Sequence, residues 1–239
     1  MLHTKDHAAT ATKTVREVVL EDPNATRIFE QLGIDYCCGG HKTLSNACSS
    51  AKVSLDEVLN KLETAQRPGT TPSASDKWQS APLGELIAHI VSTHHEYVKQ
   101  EVPRLEKLLA KVCSVHGQHH PELLEIQQTF QELANELSSH LMKEEQILFP
   151  YIVQAERGET PHACFGTVQN PIRMMMFEHD NAGAALRAMR ASSQNYTVPA
   201  DGCISYQTLY QALQAFEADL HQHIHLENNI LFPRAVAME

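Results

Sequence analysis

The sequence lacks several features that would place it in common functional classes. Asp and Glu outnumber Lys and Arg, and the formal charge of −10 argues against a nucleic-acid partner, which requires positive charge clustered on one face. No apolar run approaches the roughly 20 residues of a membrane-spanning helix. Neither a basic amphipathic stretch nor an apolar leader segment is present. We therefore expect a cytoplasmic protein with no nucleic-acid or membrane partner.

Aromatic residues are also scarce, at 6%, whereas apolar residues make up 42% of the chain. This balance is typical of helices that pack through Leu, Ile, Val, Ala and Met. The six cysteines are expected to be reduced thiols and not a disulfide framework. The residue present in excess is histidine, with 15 in 239 residues.

The first part of the chain predicts a small helical domain over 12–65. Thr14 and Glu17 have the spacing of a capping box, and Gly33 suits the left-handed residue that ends a helix. A unit of this size buries little core, so we expect it to need support from the rest of the chain or from a second copy in a homodimer. Residues 66–78 concentrate Pro, Gly, Ser and Thr and are predicted to be a linker.

Residues 79–239 predict the main domain, so that the whole chain is all-α. Apolar residues recur at helical spacing in four long segments, over about 82–112, 121–149, 170–192 and 204–232. Pro150 and Pro233 are expected to end the second and the fourth segment. Four helices of this length predict an antiparallel up-down four-helix bundle.

The second and fourth segments repeat each other at a spacing of 83 residues. Both contain His-x-x-x-Glu followed by Ile-Leu-Phe-Pro, as HLMKEEQILFP at 140–150 and HIHLENNILFP at 223–233. The same shift superimposes two apolar stripes, which are Ile126, Phe130, Leu133, Leu137, Leu141 and Leu148 in the first copy and Leu209, Leu213, Phe216, Leu220, Ile224 and Leu231 in the second. The match indicates two helix pairs derived from one ancestral hairpin.

The polar residues of the repeat fall on these apolar stripes. His140 and Glu144 share the inward face of the second segment, and His223 and Glu227 share that of the fourth. A single His–Glu pair is commonly structural. A carboxylate buried without a partner is costly, however, so two such pairs on duplicated stripes favour a metal site.

The first and third segments supply two more histidines. His95 lies on the inward stripe of the first, where His94 is the rival candidate, and His179 lies on a stripe of the third that includes Met176. They precede the histidines of the repeat by 45 and 44 residues. Four His and two Glu at one level of a bundle suit two metal ions. Imidazole with carboxylate fits iron, manganese or zinc, and we expect a di-iron centre before other dinuclear metals.

These residues resemble a known family. The stretches that carry the match are GIDYCCGG at 33–40, SSHLMKEEQILFP at 138–150 and HIHLENNILFP at 223–233, with additional support from MFEHDNAG at 176–183. The bundle resembles hemerythrin-like domains, and the chain from about residue 14 is similar to bacterial iron–sulfur cluster repair proteins induced by nitrosative and oxidative stress. The resemblance implies two non-haem iron ions, oxo- and carboxylate-bridged. Its implied ligands, with both glutamates bridging, are His95, His140, Glu144, His179, His223 and Glu227.

The adjacent Cys37 and Cys38 also belong to the resemblance, which implies that they are catalytic residues in redox chemistry or iron transfer. The flanking glycines are expected to leave both thiols exposed, and the alternative is two half-buried cysteines without a chemical role. Adjacent cysteines chelate poorly, so we do not expect both to bind one ion. The remaining cysteines are expected to be inert, namely Cys48, Cys113, Cys164 and Cys203. Seven other histidines are expected to be surface, loop or outer residues, namely His89, His116, His119, His120, His162, His221 and His225.

The sequence differs from the oxygen-carrying hemerythrins at Gly183, where they have a further His ligand. With one His ligand fewer, the iron pair would have more open coordination positions and would be more accessible to small molecules. The resemblance implies a protein that supports repair of damaged iron–sulfur proteins, by donating iron or by handling nitric oxide. The alternatives are a non-haem di-iron nitric oxide or nitrite reductase and a reversible carrier or sensor of oxygen or nitric oxide. The pattern favours a role without conventional turnover; an enzyme would be a di-iron oxidoreductase acting on nitrogen oxides.

Overall fold

The structure is a computed structural model that describes residues 3–22, 24–65, 74–159 and 165–239, so His162 and Cys164 lie outside the described residues. The regular structure is helical throughout this part of the chain, with one isolated bridge between Thr14 and Thr43. The α-helices are α1 His3–Thr12, α2 Val15–Glu21, α3 Ala25–Leu32, α4 Leu44–Ala51, α5 Leu55–Ala65, α6 Ala74–Ser80, α7 Leu83–Ile90, α8 Glu96–His116, α9 Glu122–Lys143, α10 Phe149–Glu156, α11 Gln169–Ser192, α12 Ile204–Leu226 and α13 Phe232–Val236. None of the described helices is long and apolar enough to cross a membrane.

Short turns of other helix types complete this list. A 3₁₀ turn covers Gly39–His41. Three π-helical turns join pairs of α-helices into longer unbroken helices: Val91–His95 joins α7 to α8, Glu144–Leu148 joins α9 to α10, and Glu227–Leu231 joins α12 to α13.

The chain forms two compact units. One consists of Met1–Pro82 with His225–Pro233, and the other of Leu83–Ile224 with Arg234–Glu239. Most of the predicted linker, residues 66–73, lies outside the described residues, while its last residues fall in α6. The domain borders drawn from the sequence stay a prediction.

The first unit has its own apolar core among short helices. The predicted capping box begins α2, since the Thr14 side chain accepts a hydrogen bond from the Glu17 N–H and the Glu17 carboxylate accepts one from the Thr14 N–H. Gly33 ends α3 at a φ of 66°, a left-handed conformation that favours glycine. The core residues with no exposed surface include Val15, Val19, Ala25, Phe29, Leu44 and Val58.

The second unit contains the expected helix packing. Helix α9 packs against both α8 and α11. The Phe216 ring of α12 lies 5.6 Å from that of Phe130 on α9 and 6.3 Å from that of Tyr97 on α8, between ring centroids. The repeated apolar stripes are buried. Met176 is the exception on the third segment, where the prediction was wrong, because it is 40% exposed. It lies about 100° around the helix from the buried Met175.

The two prolines do not end their helices as predicted. The helix continues past Pro150 to Glu156 and past Pro233 to Val236. Each proline follows a π turn, in which the closing N–H donates to a carbonyl five residues back, as Phe149 does to Glu144. Because the hydrogen bonds of the π turn span one residue more than those of the α-helix, one backbone carbonyl at the junction has no N–H donor from the helix. A proline, which has no N–H to donate, is therefore tolerated at this position.

Candidate metal centre

Two groups of buried side chains meet inside the bundle unit. The first contains His95, Glu144 and His223, and the second contains His140, Glu144 and His179. Within each group the possible ligand atoms lie within 4.8 Å of one another. The Nε2 atoms of His95 and His223 are 3.1 Å apart, and those of His140 and His179 are also 3.1 Å apart. The packing therefore brings together five of the six predicted ligands.

Glu144 is shared by the two groups. Its Oε2 lies 3.5 Å from Nε2 of His95 and 3.3 Å from Nε2 of His140. The side chain is fully buried, and among the described residues neither of its carboxylate oxygens has a hydrogen-bond partner. Such a carboxylate is costly without a cation. A divalent ion in each group would satisfy the carboxylate, so the residues present fit a pair of metal ions with Glu144 between them.

Two of these histidines have a carboxylate facing the ring nitrogen that points away from the metal-ligand groups. The Nδ1 of His95 lies 2.8 Å from Oε1 of Glu145, and the Nδ1 of His140 lies 2.8 Å from Oε2 of Glu178. The ring nitrogen that faces a carboxylate is the one that donates its N–H. The Nε2 atoms, which face the centre of each group, therefore keep a lone pair for a metal ion. This carboxylate–histidine arrangement is typical of metal ligands.

Each of these outer carboxylates is held ionised by a lysine. Burial alone would raise the pKa of both carboxyls. Hydrogen bonds from Lys99 and His95 outweigh burial at Glu145, and those from Lys143 and His140 outweigh it at Glu178, so the pKa of each carboxyl lies below its ordinary value. Sequence reasoning did not identify Glu145.

Glu227 is the sixth predicted ligand. It follows His223 by four residues along the unbroken helix formed by α12, the π turn and α13, so both side chains project from one face of that helix. Its side chain has no exposed surface. Its role as a ligand stays a prediction.

The π turns coincide with the candidate site. His95 ends the turn Val91–His95, Glu144 begins the second turn and Glu227 begins the third. A π turn contains one extra residue, which rotates the residues beyond it by about 100° relative to an α-helix. Such turns are frequent at functional sites. No feature of the sequence distinguished them from ordinary helix.

His94, the rival to His95, lies outside both groups. Its Nδ1 is 2.9 Å from Oδ1 of Asp219, and its ring is stacked on that of His223 with centroids 5.7 Å apart. The residue is buried and supports the position of His223 without contributing an atom to either group.

A small cavity reaches the candidate site from between α9, α11 and α12. Most of its wall is apolar, and three of its lining residues are histidines of the two groups. The lining residues are Leu133, Glu136, Leu137, His140, Glu178, His179, Ala182, Leu220, His223 and Ile224. The apolar wall beside these histidines favours a small uncharged guest over a charged one.

The Cys37–Cys38 turn lies in the first unit, and its thiols differ from the prediction. Cys37 is buried and Cys38 is half-buried, with the two Sγ atoms 3.7 Å apart. Both were expected to be exposed. The turn folds inward because Oδ1 of Asp35 accepts hydrogen bonds from the backbone N–H of Cys38 and of Gly39, at 2.9 and 3.0 Å. The hydrogen bond with Cys38, burial and the neighbouring Asp35 raise the pKa of the Cys37 thiol well above its usual range.

Asp35, Cys37 and Cys38 form a third group that could hold a metal ion, with possible ligand atoms within 4.8 Å of one another. An ion there would compete with the backbone hydrogen bonds that Asp35 already accepts. The thiol of Cys37 would also have to lose its proton against a raised pKa. This group therefore fits a metal less well than the His and Glu groups.

The end of α12 and its π turn hold the cysteine turn within the first unit. The Nδ2 of Asn228 donates to the Cys37 carbonyl at 3.2 Å, and that of Asn229 donates to the Tyr36 carbonyl at 3.0 Å. A Cβ atom on Gly40 would lie 2.6 Å from the Asn229 side chain, so this close approach requires glycine.

His225, which was expected to be an outer or solvated residue, has no exposed surface. Burial, with a smaller effect of Arg16, lowers the pKa of this imidazole to about 4. The Nδ1 of His225 lies 2.9 Å from Nδ2 of Asn229 and its ring meets that of Tyr36 edge-on. The prediction failed because the first unit packs around this segment.

Comparison with known proteins identifies both parts of the chain. Residues 86–235 match the hemerythrin HHE cation-binding domain. Residues 11–66 match a domain of unknown function, DUF542, also called ScdA_N.

Whole-length relatives carry a common description. A protein of Haemophilus influenzae described as a probable iron–sulfur cluster repair protein is 36% identical over 226 residues, which is 95% of this chain and 97% of the relative. The iron–sulfur cluster repair protein YtfE of Yersinia pseudotuberculosis is 37% identical, over 91% of this chain and 93% of the relative. The iron–sulfur cluster repair protein YtfE of Musicola paradisiaca is 37% identical, over 95% of this chain and 97% of the relative.

Proposed function

The chain belongs to the iron–sulfur cluster repair proteins with a hemerythrin-like domain, and from this membership we propose that it holds two iron ions and supports repair of damaged iron–sulfur clusters. Its targets are iron–sulfur proteins damaged by nitrosative or oxidative stress. The protein works in the cytoplasm, where a reducing thiol pool keeps cysteines free, as all the cysteines in the described residues are.

The observation that carries the proposal is the placement of Glu144 between two imidazole pairs. The Glu144 carboxylate lies within reach of an imidazole of each pair, which would suit a bridging ligand. Imidazole with carboxylate suits iron, manganese or zinc, and the relatives described as iron–sulfur cluster repair proteins favour iron. Glu227 supplies the second bridging carboxylate in the proposal, since it repeats Glu144 at the same spacing from its histidine.

The residues around the ligands perform two tasks. Glu145 and Glu178 hold the Nδ1 protons of His95 and His140, which keeps Nε2 available. Bound iron would supply one-electron redox chemistry and an open position for a small ligand. The apolar cavity beside His140, His179 and His223 would favour a small uncharged ligand such as nitric oxide or oxygen over a charged one.

Repair proceeds by transfer of iron, as cargo, to a damaged cluster, or by removal of nitric oxide. Cys37 and Cys38 assist the transfer in this proposal. What supports their involvement is the hydrogen bond to the Cys37 carbonyl from Asn228, the next residue after Glu227. Because the Cys37 thiol is buried and its pKa is raised, the turn would have to open before the pair could react.

The first test is the metal content of purified wild-type protein and of the Glu144→Leu, Glu227→Leu double variant, measured with the visible absorption spectrum. We expect two iron ions per chain and ferric absorption bands in the wild type, with both absent in the double variant. The helical content by circular dichroism should be unchanged. A single zinc ion per chain, or no metal in a folded wild-type protein, would contradict the di-iron proposal.

The second test is repair itself. Iron-loaded, reduced protein is mixed with a nitrosylated or oxidised iron–sulfur dehydratase, and recovery of dehydratase activity is followed. Recovery with the wild type and none with the double variant supports the role. If free ferrous iron restores the dehydratase and the iron-loaded protein does not, iron donation is excluded.

The cavity favours one alternative, a di-iron reductase that turns over nitric oxide. Steady consumption of nitric oxide with an electron donor would support the enzyme. Uptake of a single stoichiometric amount would instead support a carrier or sensor. Sedimentation of the same preparation tests the predicted homodimer.

A further inference from the structure

A second cluster of reactive side chains lies where α8 ends and α12 begins. Nε2 of His116 is 3.2 Å from Sγ of Cys203. Nearby, Nε2 of His120 contacts both carboxylate oxygens of Asp201 at 3.1 Å. The Tyr206 ring meets the rings of His116 and His120 nearly edge-on, at 5.4 and 5.6 Å between centroids. The imidazole beside the thiol is therefore held in place by an aromatic ring.

The backbone around Cys203 favours its ionised form. Cys203 directly precedes α12, and its carbonyl accepts the first hydrogen bond of the helix, from the Gln207 N–H. Free N–H groups of a helix N-terminus stabilise a negative charge. The hydrogen bond with His116, followed by those from the Tyr206 and Ser205 N–H groups, lowers the pKa of the Cys203 thiol to about 7.

The other cysteines of the described residues lack this combination. Cys37 and Cys48 are buried, Cys38 is half-buried with its Sγ 3.7 Å from that of Cys37, and Cys113 is half-buried with its thiol donating to the Leu123 carbonyl. The pKa of the Cys37, Cys48 and Cys113 thiols is raised. Cys203 is exposed. The environment thus singles out Cys203 for reaction with molecules in solution.

The cluster is separate from the candidate metal centre. Cys203 and His223 stand at opposite ends of α12, about 30 Å apart at 1.5 Å per residue. Its chemistry can therefore be measured without regard to metal loading.

We propose that Cys203 is a modification site at which the His116-paired thiolate reacts with low-molecular-weight disulfides to form a mixed disulfide. The Sγ thiolate attacks one sulfur of the reagent, and the new S–S bond forms as the reagent's S–S bond breaks. Cys203 is oxidised, and the departing thiolate carries away the electron pair and takes a proton from water. Disulfides of this class accumulate when the cytoplasm is oxidised. Cys203 would therefore be modified under the same oxidative stress to which the proposed repair function responds, and the modification does not require that function.

The test uses full-length protein and oxidised glutathione, with adducts located by peptide mass mapping from pH 5.5 to 9. We expect Cys203 to be modified first, with a rate that rises with pH to a midpoint near 7. In His116→Gln the rate at pH 7 should fall about five-fold, because the larger thiolate fraction of the wild type is partly offset by the lower nucleophilicity of a weakly basic thiolate. The midpoint should move toward that of an ordinary thiol.

His119→Gln is the matched control, since His119 is a neighbouring exposed histidine, and it should react like the wild type. Cys203→Ser should remove the adduct from that peptide. First modification at another cysteine, or an ordinary thiol midpoint for Cys203 in the wild-type protein, would overturn the proposal without relying on any variant. An unchanged rate profile in a folded His116→Gln protein would also overturn it.

Discussion

Two stretches of the chain have the same design and different surroundings. HLMKEEQILFP at 140–150 and HIHLENNILFP at 223–233 share His, Glu and the apolar ending, and in each a π turn begins at the glutamate. The residues after the glutamate differ. In the first copy Glu145 contacts His95, whereas in the second Asn228 and Asn229 hold the carbonyls of the cysteine turn.

The residues after the glutamate also differ in burial between the two copies. Ile147 of the first copy is 53% exposed, and its repeat partner Ile230 is 2% exposed. Gln146 is exposed, whereas its partner Asn229 is buried. The comparison teaches that the repeated helix end kept the His and Glu of the candidate metal site and changed the residues that follow the glutamate, where the second copy became part of the first unit.

The largest expected effect is the loss of metal binding when the glutamate that both copies share, Glu144 or Glu227, is replaced. Glu144→Leu and Glu227→Leu, made singly, should each lose both metal ions if the two glutamates bridge, because a bridging carboxylate serves both groups. Metal analysis of the two single variants checks this, with the exposed Glu132→Leu as a control that should retain metal. Loss in one variant and full retention in the other would show that the two copies are not equivalent.

The next largest effect is on the free energy of unfolding when the isoleucine of the shared Ile-Leu-Phe-Pro ending is replaced. Ile230→Ala should lower the free energy of unfolding by about 2–5 kcal/mol because it leaves a cavity in a packed region. Ile147→Ala should change it by about 0.5 kcal/mol or less, since an exposed side chain leaves none. Urea denaturation of the metal-free proteins measures both. Equal losses would mean that Ile147 is also buried in solution.

The third prediction concerns the residue after the first glutamate. Glu145→Gln should weaken metal binding about 10–100-fold, because His95 loses the carboxylate that orients its ring and increases its basicity. Competition with a chelator measures the affinity. Glu178→Gln, which removes the corresponding partner of His140, should produce a loss of the same order. An affinity equal to that of wild type in both variants would contradict this role.

The smallest effect is expected in the cysteine turn. Asn229→Leu removes the hydrogen bond to the Tyr36 carbonyl, which should cost about 1 kcal/mol of local stability. Hydrogen exchange of the peptides covering 33–40 should accelerate accordingly. The control is Gln146→Leu at the equivalent exposed position, which should leave that exchange unchanged. An Asn229→Leu protein with wild-type exchange would show that the amide does not hold the turn.

Much of the bundle could be predicted because it depends on periodic patterns. The helical period assigned His95, His140, Glu144, His179 and His223 to inward faces, and the repeat linked the two halves. The same patterning failed at Met176, where adjacent methionines made two faces of the helix look equally apolar. It also missed the π turns, because these depend on local hydrogen-bond register and not on residue type.

The sequence by itself determined the helices, the repeat and the inward position of the metal-ligand candidates, because the side of a helix on which a residue lies follows from its place in a 3.6-residue period. The tertiary structure alone decided which distant side chains meet. Glu145 reaches His95, Asn229 reaches Tyr36 and His116 reaches Cys203 across 50, 193 and 87 residues of sequence. Such pairs are set by the packing of whole elements, and neither partner carries a local signal of the other.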